Sequence, residues 1–99
     1  MIKLHLNLKR KWFDMILSGK KKEEYRDISR YWNRRLMGLC TNDIKDTIIV
    51  FSNGYAKNRP QFEIELLNIE IGIGILEWGA EPHKKYFILK LGKTKDVNL

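Results

Sequence analysis

The chain has 99 residues, which suits one domain, and 43% of them are hydrophobic, so it is expected to fold alone. Its single cysteine, Cys40, and two histidines supply neither a disulfide framework nor a zinc ligand set, and we expect no metal and no cofactor. The apolar stretches are far shorter than the roughly 20 residues of a membrane span, and no secretory signal is recognisable, so we expect a cytoplasmic protein without membrane contact.

The positive charge lies in the first third of the chain. Residues 1–35 contain eleven basic and four acidic residues, whereas residues 36–99 contain eight of each. The same first third holds five aromatic residues: Trp12, Phe13, Tyr25, Tyr31 and Trp32. Basic side chains attract phosphate and aromatic rings stack on bases, so this mixture favours binding of a nucleic acid or nucleotide. The alternative is that the rings belong to the core and the charges to a solvated face.

The first part of the chain predicts two strands and two helices. Residues 2–8 alternate between apolar and polar, as in a half-buried strand. Residues 12–17 have the spacing of a short amphipathic helix that Gly19 can end in a left-handed cap. Residues 20–27 follow as a charged strand. Apolar residues then recur every four positions within residues 28–38, which predicts a second helix with arginines on its outer side.

The second part of the chain is typical of β-structure. Residues 47–51 predict a buried strand, and alternation over residues 62–66 changes parity over residues 67–71, which predicts a bulge near Leu66 and Leu67. Residues 86–91 predict the last strand, and 93–99 a frayed tail. The expected fold class is α+β: a small, partly closed, mostly antiparallel β-barrel of five strands, with two short helices between the first strands.

Residues 19–26 are unusual for a structural strand, because lysine, glutamate and arginine gather where strand propensity is poor. In a strand, Lys22, Glu24 and Arg26 share one face, and Lys21 sits at the corner after the helix. Lysine and arginine side chains can contact phosphate, and the carboxylate beside them can accept a hydrogen bond from the amine of a base. The alternative is a surface ladder of ion pairs, which contributes little to stability.

The pattern Gly19-x-Lys21-x-x-Glu24-x-Arg26 resembles the G-x-K-x-x-E-x-R motif of the ASCH domain family, with all four positions matched. The resemblance extends over residues 1–92 and is strongest to the small single-domain members from phages and bacteria. It implies a fold related to the PUA domain, with a cleft beside the first helices that binds RNA or nucleotides. In the family the motif lysine, glutamate and arginine line this cleft, which implies the same place for Lys21, Glu24 and Arg26.

Some relatives are amidohydrolases that act on acetylated cytidine, and their threonine nucleophile falls where this chain has Glu24. Thr41 and Thr47 lie outside the motif, and acyl-enzyme chemistry needs a hydroxyl or thiol beside a base. A hydrolase of a modified nucleoside is therefore the alternative, with Lys21, Glu24 and Glu77 as catalytic candidates. Lys21 would need a lowered pKa, for which repulsion among the three consecutive lysines is one source.

The sequence thus favours a monomeric RNA- or nucleotide-binding module in which Lys21 and Arg26 contact phosphate and Glu24 reads a base amine. The residues assigned to the ligand are Lys20, Lys21, Lys22, Glu24, Arg26, Arg30, Arg34, Arg35, Asn53 and Tyr55. A further possibility is a protein-interaction module that docks an acidic partner. A large exposed apolar patch would favour that possibility.

Overall fold

The structure, a computed structural model, describes residues 1–39 and 43–98, so Cys40, Thr41, Asn42 and Leu99 lie outside the described residues. Within the described part the chain forms five strands and two α-helices, which confirms the predicted α+β class. The strands are β1 (Ile2–Asn7), β2 (Glu23–Asp27), β3 (Thr47–Ser52), β4 (Gln61–Ile73) and β5 (Lys85–Asn98). The helices are α1 (Arg10–Leu17) and α2 (Arg30–Met37), and short 3₁₀ turns span Ile44–Asp46 and Leu76–Trp78.

All five described strands belong to one mixed sheet in the order β1-β3-β4-β5-β2. β1 pairs with β3 in parallel, and the other three pairings are antiparallel. In the described residues β1 and β2 are the two ends of the sheet, and no pairing between them closes it. The mostly antiparallel arrangement is as predicted, and the partial closure into a barrel stays a prediction.

The end of α1 sets the direction of β2. Gly19 follows the helix with φ of 84°, and its N–H donates to the Ile16 carbonyl at 3.0 Å. Glycine adopts this left-handed conformation without the clash that a Cβ would cause. The chain therefore turns out of the helix at the predicted cap, and Lys21 falls at the corner before β2, also as predicted.

The second helix begins and ends near the predicted positions. The Ser29 hydroxyl accepts a hydrogen bond from the Trp32 N–H at 3.2 Å and so caps the first turn. Leu36 is buried and Trp32 packs partly against the core, whereas Ile28, which shares their spacing, precedes the helix and is 49% exposed. No helix in the part of the chain that the structure describes has the length and apolar character to span a membrane.

The core joins both helices to the sheet. Phe13 of α1 is fully buried, and its ring meets that of Phe62 edge-on with 4.9 Å between the centroids. Phe51 lies on the other side of Phe62, with 5.7 Å between these two centroids. Aromatic pairs of this kind add to the stabilisation from their buried area.

The long strands β4 and β5 differ in part from the sequence prediction. The register of β4 against β5 shifts between Leu66 and Asn68, which confirms the predicted bulge, and two further shifts precede it. The predicted frayed tail is wrong, because β5 continues to Asn98, which pairs opposite Gln61. The first half of β4 pairs with the C-terminal residues of β5 through backbone hydrogen bonds. The stabilisation from this pairing outweighs the weak strand propensity of those residues.

Candidate functional site

Lys21, Glu24 and Arg26 meet in one charged network. Lys21 Nζ donates to Glu24 Oε1 at 2.8 Å, and Arg26 Nη2 donates to Glu24 Oε2 at 2.8 Å. Lys21 and Glu24 are only 3% and 6% exposed. Such burial distinguishes this motif triad, as we call the three residues, from a surface ladder of ion pairs, because buried charges interact strongly and tolerate no missing partner.

Lys21 is enclosed by two rings and a turn. Its Nζ also donates to the Trp78 carbonyl at 2.7 Å and lies 4.6 Å from the ring centre of Trp12 and 5.3 Å from that of Tyr25. The attraction of a cation to aromatic faces offsets part of the hydration that Lys21 loses on burial. The first helix, β2 and the second 3₁₀ turn therefore all contribute to holding this side chain.

Burial lowers the pKa of Lys21, although the neighbouring Glu24 acts in the opposite direction. The direction is the one that the hydrolase alternative requires. Its cause differs from the expected repulsion among three lysines, because Lys20 and Lys22 are exposed and the loss of hydration dominates.

Arg26 connects the two ends of the sheet. Its Nη2 donates to the Asn7 carbonyl at 3.0 Å, and its guanidinium carbon lies 4.9 Å from the ring centre of Trp32. Its Nε is buried and makes no hydrogen bond with any residue that the structure describes. A buried donor left without a partner costs about 1–3 kcal/mol.

A cavity of about 550 Å³ opens beside Arg26, and we call it the arginine cleft. It is lined by His5, Leu6, Asn7, Arg26, Tyr31, Trp32, Arg35, Ser52, Tyr55 and Arg59. Three of these residues are arginines, three are aromatic, and none of the described lining residues is acidic. Arg35 donates to neutral oxygens, the Tyr31 hydroxyl at 3.1 Å and the His5 carbonyl at 3.4 Å. The cleft thus presents positive charge to an anionic ligand.

The predicted site residues separate into four groups, the first of which is the buried pair Lys21 and Glu24 described above. Arg26, Arg35 and Tyr55 line the arginine cleft, and the Tyr55 side chain is available because the residue is 88% exposed. Asn53 instead holds a turn, since its amide donates to the Leu8 carbonyl at 3.0 Å. The remaining predicted residues are exposed and do not line the cleft: the ligand candidates Lys20, Lys22, Arg30 and Arg34, and the catalytic candidate Glu77.

Sequence analysis did not assign Arg59 or His5 to the site, and it named Trp32 and Tyr31 only among the aromatic residues of the first third of the chain. Tyr31 and Arg35 are four residues apart on α2, and this spacing was a local signal that they share a face. No comparable signal existed for Arg59. It reaches the cleft through the loop after β3, which is tied to β1 by a hydrogen bond from the Asn7 amide to the Gly54 carbonyl at 2.6 Å.

Comparisons with models of known protein families, with curated proteins and with solved structures found no significant match. The resemblance to the ASCH family therefore rests on the motif and on the order of the elements. Among the described residues, no group of three or more histidine, cysteine, aspartate or glutamate side chains is placed to hold a metal ion.

The opposite face of β2 carries a second network, which holds the turn beside Lys21. The Tyr25 hydroxyl donates to Glu23 Oε1 at 2.7 Å and accepts from the Ile75 N–H at 2.9 Å, while Lys90 pairs with Glu23 Oε2. Burial raises the pKa of Tyr25. Burial also opposes ionisation of Glu23, but the hydrogen bonds from Lys90 and Tyr25 outweigh it, so the pKa of Glu23 is lowered.

Glu23→Gln is expected to cost about 1.5–3 kcal/mol of unfolding free energy at pH 7, the usual contribution of hydrogen bonds to a charged group. The pKa of Glu23 in the folded protein lies below its ordinary 4.5, so the unfolded chain binds more protons in the interval between the two values. This stabilisation is therefore complete above pH 4.5 and is lost as the pH falls through the folded pKa.

Urea unfolding of wild type and Glu23→Gln between pH 7 and pH 3 measures the effect. Lys90 stays protonated over this range, so the difference between the two proteins follows Glu23 alone. Glu77→Gln, at an exposed carboxylate, serves as the control. A difference that does not change with pH would contradict the role given to the Glu23 carboxylate.

Proposed function

We propose that the protein binds RNA or its nucleotides in the arginine cleft, with Arg26 fixed in place by the motif triad. The observation that carries this proposal is the lining of the cleft, which combines three arginines with three aromatic rings and contains no acid among its described residues. Guanidinium groups bind phosphate through paired, charge-assisted hydrogen bonds. Aromatic rings and guanidinium planes both provide surfaces on which unpaired bases stack.

In this proposal Lys21 and Glu24 act by holding Arg26. Both residues are buried, and both oxygens of Glu24 are already hydrogen-bonded. Phosphate contacts therefore fall to Arg26, Arg35 and Arg59. This division differs from the roles expected from the sequence, in which Lys21 meets phosphate and Glu24 accepts from a base amine.

The proposal includes a PUA-like, partly closed barrel of the ASCH type. Two observations support it. The motif triad joins the end of α1 to β2, where the motif places it, and the Arg26–Asn7 hydrogen bond brings the two end strands of the sheet together at one point. A side-chain hydrogen bond between the two end strands can hold them close together where the strands do not pair through their backbones.

Titration of labelled single-stranded RNA, followed by fluorescence anisotropy, tests the proposal. The three phosphate contacts of the cleft predict a slope of about −2 or steeper in log affinity against log salt concentration, which is a loss of about 20-fold or more between 50 and 200 mM salt. Arg35→Ala and Arg59→Ala are each expected to weaken binding and to reduce that slope by about 0.7, because each removes one contact.

Arg30→Ala is the matched control, since Arg30 lies on α2 with Arg35 but is exposed and outside the cleft. It is expected to retain most of the affinity and the salt slope. Binding that does not depend on salt, or that is equally affected by Arg30→Ala and Arg35→Ala, would contradict the arginine cleft as the site.

The two alternative functions have weaker support. For the hydrolase, the lowered pKa of Lys21 is favourable, but Lys21 is 3% exposed and its Nζ is bound to Glu24 and to the Trp78 carbonyl, so a substrate does not reach it. For the protein-interaction module, Leu67, Ile71 and Ile73 of β4 are each more than half exposed. This exposure favours an interaction surface, but the three residues lie outside the cavities that include Arg26, so the surface is separate from the basic cleft that was expected to dock an acidic partner.

A further inference from the structure

The arginine cleft adjoins two other hollows, because each of them has lining residues in common with it. On one side a hollow of about 320 Å³ shares Asn7, Arg26 and Trp32 with the cleft, and we call it the tryptophan hollow. On the other side a hollow of about 400 Å³ shares Arg59, and we call it the loop hollow. The three cavities therefore lie next to one another, and we call this row of cavities the track.

The tryptophan hollow adds a lysine and a second indole ring, from Lys9 and Trp12. Two acids also line it, and both are paired. Glu24 is bound within the motif triad, and Asp27 Oδ1 lies 3.0 Å from Lys84 Nζ. Lys84 is shared with Glu81 at 3.2 Å, so Asp27 is only partly compensated. The motif triad has two cations for one carboxylate, and its net positive charge acts with Lys9 to attract an anion at this end of the track.

The loop hollow has a polar lining of a different kind. Lys57 and Arg59 provide its positive charge, and its other lining residues are Asn58, Gln61 and Asn98. None of its described lining residues is acidic. Amide side chains both donate and accept hydrogen bonds, as the edges of bases and the 2′-hydroxyl of ribose require.

We infer that the ligand is a single strand of RNA that occupies all three hollows, with successive phosphates near Lys9 and Arg26, Arg35 and Arg59, and Lys57. This inference rests on the proposed function and makes its ligand specific. A mononucleotide has one phosphate group and fits one hollow, so it leaves the cations at both ends of the track unused. A duplex keeps its bases stacked and does not offer them to Trp12, Trp32 and Tyr55. Single-strand sites begin at about 4 nucleotides, which is compatible with a track of three hollows.

The test compares uridine monophosphate with oligouridylates of increasing length, using isothermal titration calorimetry. Affinity is expected to rise about tenfold or more from one nucleotide to about four, and then to rise little, because the track is filled. The salt slope is expected to become steeper over the same range of lengths, by about 0.7 for each added phosphate contact.

Two variants at opposite ends of the track test its course. Lys9→Ala and Lys57→Ala are each expected to weaken binding of the longer oligomer about fivefold, to reduce its salt slope by about 0.7, and to leave uridine monophosphate binding unchanged. Lys20→Ala is the matched control, since Lys20 is exposed and lines none of the three hollows.

The outcomes separate the two proposals. If uridine monophosphate binds as tightly as the oligomers, the extended track is wrong while nucleotide binding in the arginine cleft stands. If neither the mononucleotide nor any oligomer binds, both proposals fail. Duplex RNA that binds as tightly as the single strand would overturn the inference, and so would loss of binding that is equal in Lys20→Ala and Lys57→Ala.

Discussion

Glu24→Ala is expected to lower the free energy of unfolding by about 3–5 kcal/mol, the usual cost of removing one partner from a buried ion pair. The Glu24 carboxylate lies 2.8 Å from both Lys21 Nζ and Arg26 Nη2, and only 6% of the residue is exposed. Its removal leaves two cations facing each other in a site that water barely reaches. The desolvation that already lowers the pKa of Lys21 then loses its main opposing charge, and only the weaker effect of Glu23 remains.

Urea unfolding at pH 7 measures this effect, with Glu63→Ala as the matched control. Glu63 also lies 2.8 Å from a lysine, Lys3, but the Lys3 side chain is 49% exposed. Exposed pairs contribute up to about 1 kcal/mol, so Glu63→Ala is expected to have a small effect although the two pairs have equal distances. A similar loss of stability in both variants would show that burial does not set the strength of the motif triad.

The helices and their caps could be predicted because their signals are local. Ser29 and Gly19 act on the residues next to them, through the Trp32 N–H and the Ile16 carbonyl. The bulge in β4 was also visible, since a change of parity in one strand is a property of that strand alone. The C-terminal extent of β5 could not be predicted from local sequence, because Asn98 is held in the sheet by pairing with Gln61, a residue on another strand.

The same distinction applies to the site. Strand alternation grouped Glu24 and Arg26 with Lys22, and only the resemblance to the ASCH motif implied that Lys21 lies with Glu24 and Arg26. The structure brings these three into contact. Their burial could not be predicted, because it depends on Trp12 and on the Trp78 carbonyl, which arrive from other elements. The residues of a charged motif can therefore hold one arginine at the edge of a cleft, while the other motif residues are buried and do not line that cleft.

The triple variant Lys21→Met, Glu24→Leu, Arg26→Met separates the structural role of the motif triad from its role in binding. Buried ion triads replaced together by apolar residues of similar size are often neutral or even stabilising. The variant is therefore expected to recover part of the 3–5 kcal/mol that Glu24→Ala loses. A residual loss of about 1–3 kcal/mol is expected, because the Trp78 and Asn7 carbonyls no longer receive hydrogen bonds from Lys21 and Arg26.

Binding of single-stranded RNA by the same triple variant is expected to fall about tenfold or more, with a salt slope reduced by about 0.7, because the Arg26 guanidinium is gone from the cleft. Urea unfolding and anisotropy titration of one preparation give both values. Recovered stability with lost binding is the combination that the proposed function requires. A stable triple variant that binds RNA as tightly as wild type would mean that the motif triad serves the fold alone, and that the remaining arginines bind the ligand without it.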